Sequence, residues 1–242
     1  MRPLFVLVHS PSVGPSTWHP VAERLAAAGY DTRVPSLLDV CSGPPPYWPE
    51  VVTAVREDLT TVPADQPLVL VVHSNAGLFL PVIRSGLDGL DGPGDPDGQV
   101  RRPVIASVFV DAALPAREGP TPVAPPDLLE FLRGKTVNGI LPRWTDWWDE
   151  ADIAPMFPDA AARRTVVDEQ PRLPLAYYEQ NTPVPAGWDD HRCAYLLFGP
   201  PYETEAAEAK ERGWRVAHLP GEHLHQIVDP EATARHLVEL AG

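Results

Sequence analysis

Leu68-Val69-Leu70-Val71-Val72-His73-Ser74-Asn75-Ala76-Gly77 is the stretch that decides the fold of this 242-residue chain. Its first five residues form an unbroken apolar run of strand length, which is typical of a strand covered on both faces. Ser74 follows on a tight turn, and a helical pattern follows the serine. The neighbours of such a serine must be small, because strand and helix pack closely around it. Ala76 meets that requirement, whereas Val72 stands where glycine is usual.

A turn of this kind presents the Ser74 hydroxyl above the end of the strand, where a nucleophile is needed. The helix that begins there directs its N-terminal N–H groups at the reacting centre, so the Asn75 N–H is a candidate oxyanion donor. A serine that only caps the helix is the alternative interpretation.

Other strand-length apolar runs alternate with helical patterns along the chain. The predicted strands are 4–8, 32–34, 68–72, 104–110, 194–198 and 215–219. Strands separated by helices predict a mostly parallel six-stranded sheet flanked by helices. Residues 85–103 are rich in Gly, Asp and Pro, and are predicted to form a mobile surface loop.

Residues 115–190 break this alternation and are rich in proline, tryptophan and tyrosine. We predict a helical cap inserted after the fourth strand, over the carboxyl ends of the strands where parallel sheets bind ligands. The core would then consist of residues 1–114 and 191–242. Within the cap, Trp144, Trp148 and Tyr178 are expected to line an apolar substrate pocket. The aromatic residues of this segment would equally serve as the core of the cap itself.

Gly221-Glu222-His223-Leu224-His225 follows the last predicted strand. A histidine on a loop at that point can reach the serine, take its proton and return it to a leaving group. His223 is nearer to the strand end and is the expected base, and His225 is the alternative. The two histidines lack a third ligand that would make them a metal site.

Taken together, these features resemble the α/β-hydrolase superfamily over nearly the whole chain. The landmarks are Leu7-Val8-His9-Ser10 with Trp18 and Gly29-Tyr30, the Ser74 turn, Val110-Asp111-Ala112-Ala113-Leu114-Pro115, and Gly221-Glu222-His223 before Pro230. Within the superfamily, the chain is most similar to the compact branch of plant-type esterases and hydroxynitrile lyases. The resemblance implies an α/β-hydrolase fold and leaves the reaction open, because this fold carries many chemistries.

The acid of the triad departs from the usual pattern of the superfamily. An aspartate is usual a few residues past the strand that ends at Phe198, but that turn reads Gly199-Pro200-Pro201-Tyr202-Glu203. Asp111 at the end of the fourth strand is the expected acid, since some haloalkane dehalogenases place it there and the order Ser74, Asp111, His223 is the usual one. Glu203 is the alternative, as is a site without either acid.

The oxyanion loop also departs from the pattern. The superfamily often has His-Gly-X, with X donating its N–H, whereas this chain has His9-Ser10-Pro11-Ser12. A proline at X has no N–H to donate. Ser10 or Ser12 would have to substitute, unless the reaction builds no strong oxyanion. In hydroxynitrile lyases the residue matching Ser10 carries a hydroxyl that contacts the substrate, and we expect His9 beside it to line the pocket.

The composition of the chain argues against several classes of binding partner. The net charge of −14 argues against binding to nucleic acid or to an anionic membrane surface. Two cysteines and the absence of an 18-residue apolar run indicate a cytoplasmic protein without disulfides or membrane spans. No glycine-rich phosphate loop is present, so we expect no cofactor and no metal. The expected partner is a small-molecule substrate, and a homodimer is left open.

Three functions follow from these residues. The first is a serine hydrolase of carboxylic esters or thioesters of small apolar or aromatic substrates, acting through Ser74, His223 and Asp111. The second is a lyase, cyclase or epimerase of small-molecule biosynthesis that uses the Ser74 and His223 pair for proton transfer without an acyl-enzyme. The third is a non-catalytic ligand-binding protein of the same fold.

Overall fold

A six-stranded parallel sheet forms the centre of the protein. The computed structural model describes residues 2–88 and 102–242. Its six strands are β1 (Leu4–Val8), β2 (Thr32–Arg33), β3 (Leu68–His73), β4 (Val104–Val110), β7 (Arg192–Leu197) and β8 (Arg215–His218). The strand order is β2-β1-β3-β4-β7-β8, and all five neighbouring pairs run parallel. The predicted six-stranded α/β architecture is therefore confirmed.

Helices cover the sheet on both faces. They are α1 (His19–Ala27), α2 (Trp48–Asp58), α3 (Leu80–Asp88), α7 (Glu203–Glu211), α8 (His225–Val228) and α9 (Pro230–Ala241). Alternate residues of one strand join different cores: Leu70 and Val72 pack in the cluster with α2 and α3, whereas Val69 and Val71 pack in the cluster with α1 and α9. This two-sided burial is the physical reason that the strands read as continuous apolar runs.

The segment between β4 and β7 interrupts the alternation of strands and helices. It contains α4 (Pro126–Lys135), α5 (Glu150–Ile153) and α6 (Ala160–Glu169), together with the short antiparallel strands β5 (Thr121–Pro122) and β6 (Asn181–Thr182). We call residues 111–191 the inserted segment. The expectation of a purely helical segment misses the pairing of β5 with β6, because two-residue strands leave no periodic pattern in the sequence.

The predicted surface loop at 85–103 needs one correction. Residues 85–88 form the last turn of α3. The helix therefore extends into a stretch for which the glycine at position 86 favours a loop. Gly86 is buried within that helix, where the absence of a side chain suits packing rather than a turn. Residues 89–101 of the predicted loop lie outside the described residues.

The helices are short relative to a bilayer. Across residues 2–88 and 102–242, no helix combines the length and the apolar character needed to cross a membrane.

Candidate active site

Ser74 lies on a strained turn between β3 and the helix that follows it. Its φ is 58°, a left-handed conformation that is uncommon for a residue with a side chain. A 3-10 turn over Ser74–Phe79 continues into α3. Gly77 permits the 3-10 turn to pack closely against the chain that follows β4, since a Cβ on Gly77 would lie 2.2 Å from the carbonyl oxygen of Ala113. The sequence predicted the demand for small residues at Ala76 but missed it at Gly77.

The structure brings Ser74, His223 and Asp111 into one hydrogen-bonded chain. His223 lies on the loop between β8 and α8. Its Nε2 is 2.9 Å from Ser74 Oγ, and its Nδ1 is 2.6 Å from Asp111 Oδ2. With Nδ1–H donating to the carboxylate, Nε2 is free to accept the Ser74 proton. This is the geometry that general-base activation of a serine requires.

Asp111 is fixed by the backbone as well as by His223. It is fully buried, and its φ of 42° turns the side chain from the end of β4 towards the histidine. Its Oδ1 accepts the N–H groups of Phe198 and Gly199 at 2.9 and 3.3 Å. Burying a carboxylate costs free energy unless it has such hydrogen-bond partners.

Glu203, the alternative acid, is elsewhere. It is the exposed first residue of α7, and among the described residues it makes no hydrogen bond with His223. Its position fits that of an acid in the first turn of a helix, where the helix dipole favours negative charge.

Two rings stack against the His223 imidazole. The His73 ring lies with its centroid 4.6 Å from that of His223, and its Nε2–H donates to the His223 carbonyl oxygen at 2.9 Å. Burial, together with the neighbouring His223, holds the pKa of His73 well below its usual value, so His73 is neutral. Tyr202 stacks within 16° of parallel at 5.1 Å, and its hydroxyl is 3.4 Å from Ser74 Oγ.

The sequence predicted neither of these two residues. In the sequence, the turn that holds Tyr202 is where an acid is expected, and an aromatic residue there gives no signal until its distance to His223 is known. His73 directly precedes Ser74, but its contact with His223 depends on where the His223 loop lies in the folded chain.

The predicted oxyanion donors lie on two different elements. Asn75 is in the first turn of its helix, where backbone N–H groups have no partner within the helix. Its side chain is held elsewhere, with Nδ2 donating to the Val123 carbonyl at 3.0 Å and Oδ1 accepting from the Tyr177 hydroxyl. Ser10 Oγ accepts the Ser12 N–H at 3.3 Å and so retains its own proton to donate.

His9 does not line the cavity, and this expectation is corrected. It is fully buried, its Nε2 accepts the Leu37 N–H at 3.0 Å, and its Nδ1–H donates to the Ser10 carbonyl at 2.8 Å. Burial lowers the pKa of His9 to about 4. Its neutral ring therefore fixes the shape of the Ser10 loop from behind rather than contacting the ligand space.

Ser74 and His223 open into a cavity of about 940 Å³. The expected pocket residues Trp144, Trp148 and Tyr178 line it, along with Ser10 and Asn75. Trp188 and Tyr177 do not line it and are buried in the core cluster that contains α2 and α3, to which Tyr178 also belongs. The aromatic residues of the inserted segment thus serve both of the roles that the sequence left open, and Tyr178 serves both at once.

The acidic and basic side chains that line the cavity are unbalanced in favour of acids. Four carboxylates line it, from Asp152, Glu205, Glu208 and Glu222, and no Lys or Arg is among its described lining residues. Glu208 is paired with Arg212 at 2.6 Å. Most of the remaining wall is apolar or aromatic. In the described parts of the chain, no group of three or more His, Cys, Asp or Glu is arranged to hold a metal ion.

Comparisons with known proteins agree on the fold. No family model matches the chain, and no curated protein matches it in sequence. An extracellular α/β-hydrolase from a Paenibacillus species, described as sharing structural and functional homology with tobacco salicylic acid binding protein 2, superposes with a TM-score of 0.72 at 16% identity, covering 99% of both chains. A tomato methylketone synthase I variant complexed with β-ketoheptanoate gives 0.74 at 12%, covering 100% of this chain and 98% of that one.

A pyrethroid hydrolase from Sphingobium faniae gives a TM-score of 0.69 at 17% identity, covering 99% of this chain and 97% of that one. These similarities confirm the predicted α/β-hydrolase fold. At such identities they establish the fold and leave the reaction to be argued from the site.

Proposed function

We propose that the protein is a serine hydrolase that cleaves carboxylic esters of small apolar or aromatic molecules. The observation that carries this proposal is the continuous chain from Asp111 Oδ2 through His223 to Ser74 Oγ, with contacts of 2.6 and 2.9 Å, whose serine and histidine line the cavity. A serine that only capped its helix would need neither the histidine nor the buried carboxylate behind it.

The reaction would proceed in two halves. Ser74 Oγ attacks the acyl carbon while its proton passes to His223 Nε2, and the carbonyl electrons move to the oxygen. The bond to the alkoxy group then breaks, and His223 gives its proton to the departing oxygen to form the alcohol. Water attacks the acyl-enzyme in the same manner, its proton passing to His223 and then to Ser74 Oγ, which releases the carboxylic acid. Asp111 orients the ring and stabilises its charged form.

The oxyanion would be held by the Asn75 N–H and the Ser10 hydroxyl. Pro11 removes the N–H that members of this fold often contribute from the loop after the first strand. A missing donor costs about 2.7–4 kcal/mol of transition-state stabilisation when nothing replaces it. The Ser10 hydroxyl is a suitable replacement because it accepts from the Ser12 N–H and lines the cavity.

The cavity wall favours uncharged substrates. Its carboxylates repel anions, and none of its described lining residues is a cation that would pair with a phosphate or a carboxylate. A thioester carried by a phosphorylated group is therefore a poorer candidate than a neutral ester. The aromatic wall of Trp144, Trp148 and Tyr178 provides the contact area that an apolar acyl or alcohol group would occupy.

A second candidate is proton transfer without an acyl-enzyme, as in a lyase, cyclase or epimerase. Pro11 favours it, since such a reaction places less demand on an oxyanion site. The methylketone synthase I that shares the fold shows that the scaffold is not restricted to proteins named as hydrolases.

Covalent labelling separates the two candidates. The intact mass of the protein is measured after incubation with a fluorophosphonate, for wild type, Ser74→Ala, His223→Ala and the matched control Ser42→Ala on the exposed surface. The hydrolase proposal expects one phosphonyl adduct on wild type and on Ser42→Ala, and none on Ser74→Ala or His223→Ala. A folded wild type that takes up no adduct and cleaves no p-nitrophenyl ester would contradict the proposal and favour proton transfer.

A further inference from the structure

The loop after β7 contributes to the site in two ways. The N–H groups of Phe198 and Gly199 hold Asp111 Oδ1. Three residues further on, a 3-10 turn ends at Tyr202, whose ring lies against His223. The loop therefore supplies backbone donors for the carboxylate and an aromatic residue for the imidazole, instead of the acid itself.

The Tyr202 hydroxyl is next to the reacting atoms. It is 3.4 Å from Ser74 Oγ, which is itself 2.9 Å from His223 Nε2. The Tyr202 hydroxyl and His223 Nε2 therefore contact the same oxygen atom, Ser74 Oγ. Among the described residues, Ser74 Oγ is the single hydrogen-bond partner of this hydroxyl.

The direction of that hydrogen bond follows from the triad. Ser74 donates its proton to His223 Nε2, so its Oγ is the acceptor in the contact with Tyr202. Burial raises the pKa of Tyr202, and the phenol therefore stays protonated at neutral pH. A contact of 3.4 Å is long, and catalytic hydrogen bonds of this kind often shorten when substrate is bound.

We propose that Tyr202 is a catalytic residue that donates a hydrogen bond to the leaving oxygen in each half of the reaction; this inference rests on the proposed hydrolase function. In the first half the acceptor is the alkoxy oxygen of the ester, which must approach Nε2 to receive its proton. In the second half the acceptor is Ser74 Oγ, which departs as the bond to the acyl carbon breaks. Tyr202 keeps its own proton throughout, and the proton that is transferred comes from His223.

Charge development explains why this donor matters in both halves. An oxygen that leaves carbon gains electron density before its proton arrives, and a hydrogen bond to a charged oxygen is about twice as strong as one to a neutral oxygen. Once Ser74 Oγ has bonded to the acyl carbon in the tetrahedral intermediate it is a weak acceptor, so the Tyr202 hydroxyl is free to turn to the alkoxy oxygen that is about to leave. The demand is greatest for basic leaving groups such as alkoxides.

Tyr202→Phe is the informative variant, because it keeps the ring against His223 and removes only the hydroxyl. The measurement is kcat/KM for p-nitrophenyl, phenyl and ethyl esters of one acyl group. We expect kcat/KM to fall about 10- to 100-fold for the ethyl ester and less than about 3-fold for the p-nitrophenyl ester, whose leaving group needs little stabilisation. The kcat of the p-nitrophenyl ester should fall about 10-fold where hydrolysis of the acyl-enzyme limits turnover, because Ser74 Oγ is then the leaving atom.

A residue that only positions His223 would give a different pattern. Loss of positioning impairs the general-base step of His223, which every ester requires, so kcat/KM would fall clearly for the p-nitrophenyl ester as well, and the low-pH limb of the pH profile of kcat/KM would be displaced. Either result would overturn the proposal. Tyr30→Phe is the matched control, since Tyr30 packs on Phe5 in the other core cluster, and its three kcat/KM values should equal those of wild type. A wild type that labels with fluorophosphonate while Tyr202→Phe behaves like Tyr30→Phe overturns the function of Tyr202 alone. A wild type that neither labels nor turns over overturns the hydrolase proposal first.

Discussion

Asp111→Asn should remove catalysis while leaving the fold intact. Asp111 Oδ1 accepts two backbone N–H groups, so the asparagine oxygen stays on that side and its NH₂ group must face His223 Nδ1. Nδ1 then becomes an acceptor, and the imidazole proton moves to Nε2, where it points at Ser74 Oγ. A histidine in that tautomer cannot take the serine proton.

The expected loss is about 10⁴-fold in kcat, the size seen when the wrong tautomer is imposed on a Ser-His-Asp triad. Stability should change by less than about 1–2 kcal/mol, because asparagine keeps both backbone donors and tolerates the φ of 42° that Asp111 adopts. The assay is p-nitrophenyl ester turnover together with the urea midpoint of unfolding. Fluorophosphonate labelling should slow in parallel with kcat.

Glu203→Gln is the matched control, since it makes the same carboxylate-to-amide change at the exposed alternative acid. Its kcat should remain within about 2-fold of wild type, as expected for a surface change away from the reacting atoms. The reasoning fails if Asp111→Asn, folded to the same urea midpoint as wild type, retains more than about one tenth of the activity. It also fails if Glu203→Gln is the variant that loses turnover.

Two further predictions concern stability. The pKa of His9 is about 4 in the folded protein and 6.5 when exposed, so the unfolded chain takes up its proton first as pH falls. Neutral His9 therefore stabilises the fold fully above pH 6.5, and about 3 kcal/mol of this contribution to the free energy of unfolding is lost between pH 6.5 and 4. In urea titrations, the free energy of unfolding of His9→Gln should depend less steeply on pH than that of wild type. An unchanged dependence on pH would refute the assignment. Gly77→Ala should cost about 1–3 kcal/mol or more, since its Cβ would meet the Ala113 carbonyl at 2.2 Å, whereas Gly43→Ala, with nothing within 4 Å, should change the urea midpoint little. Equal midpoints for these two glycine variants would contradict the proposed close approach.

The sheet could be predicted from sequence chiefly because its four central strands, β1, β3, β4 and β7, are largely buried. The predictions for β1 and β4 have the same bounds as the observed Leu4–Val8 and Val104–Val110, and those for the other four strands differ by two residues or fewer at each end. The helix after Ser74 was less accessible, since it begins as a 3-10 turn, and the continuation of α3 to Asp88 is hidden by the glycine at position 86.

Some residues of the site can likewise be predicted from their position along the chain, whereas others depend on tertiary distances. Ser74 and His223 are marked by where they stand relative to strands, and that is readable along the chain. The competition between Asp111 and Glu203 depends on a distance, and so does the contribution of Tyr202. His9 was misassigned because its place in the chain, next to Ser10, does not reveal that its ring turns inward to Leu37.

Pro11 has a consequence that links the two candidate functions. A backbone N–H can only donate, so an oxyanion site built from such groups is committed to binding negative oxygen. The Ser10 hydroxyl can both donate and accept a hydrogen bond, and its orientation depends on the hydrogen bond that it accepts from the Ser12 N–H. Ser12 Oγ is in turn hydrogen-bonded to the Tyr178 hydroxyl of the inserted segment at 2.5 Å. The same loop could therefore hold the oxyanion of an ester or the hydroxyl of a substrate that only exchanges a proton. Because the two reactions share these donors and the base, the adduct on Ser74 is the observation that separates them.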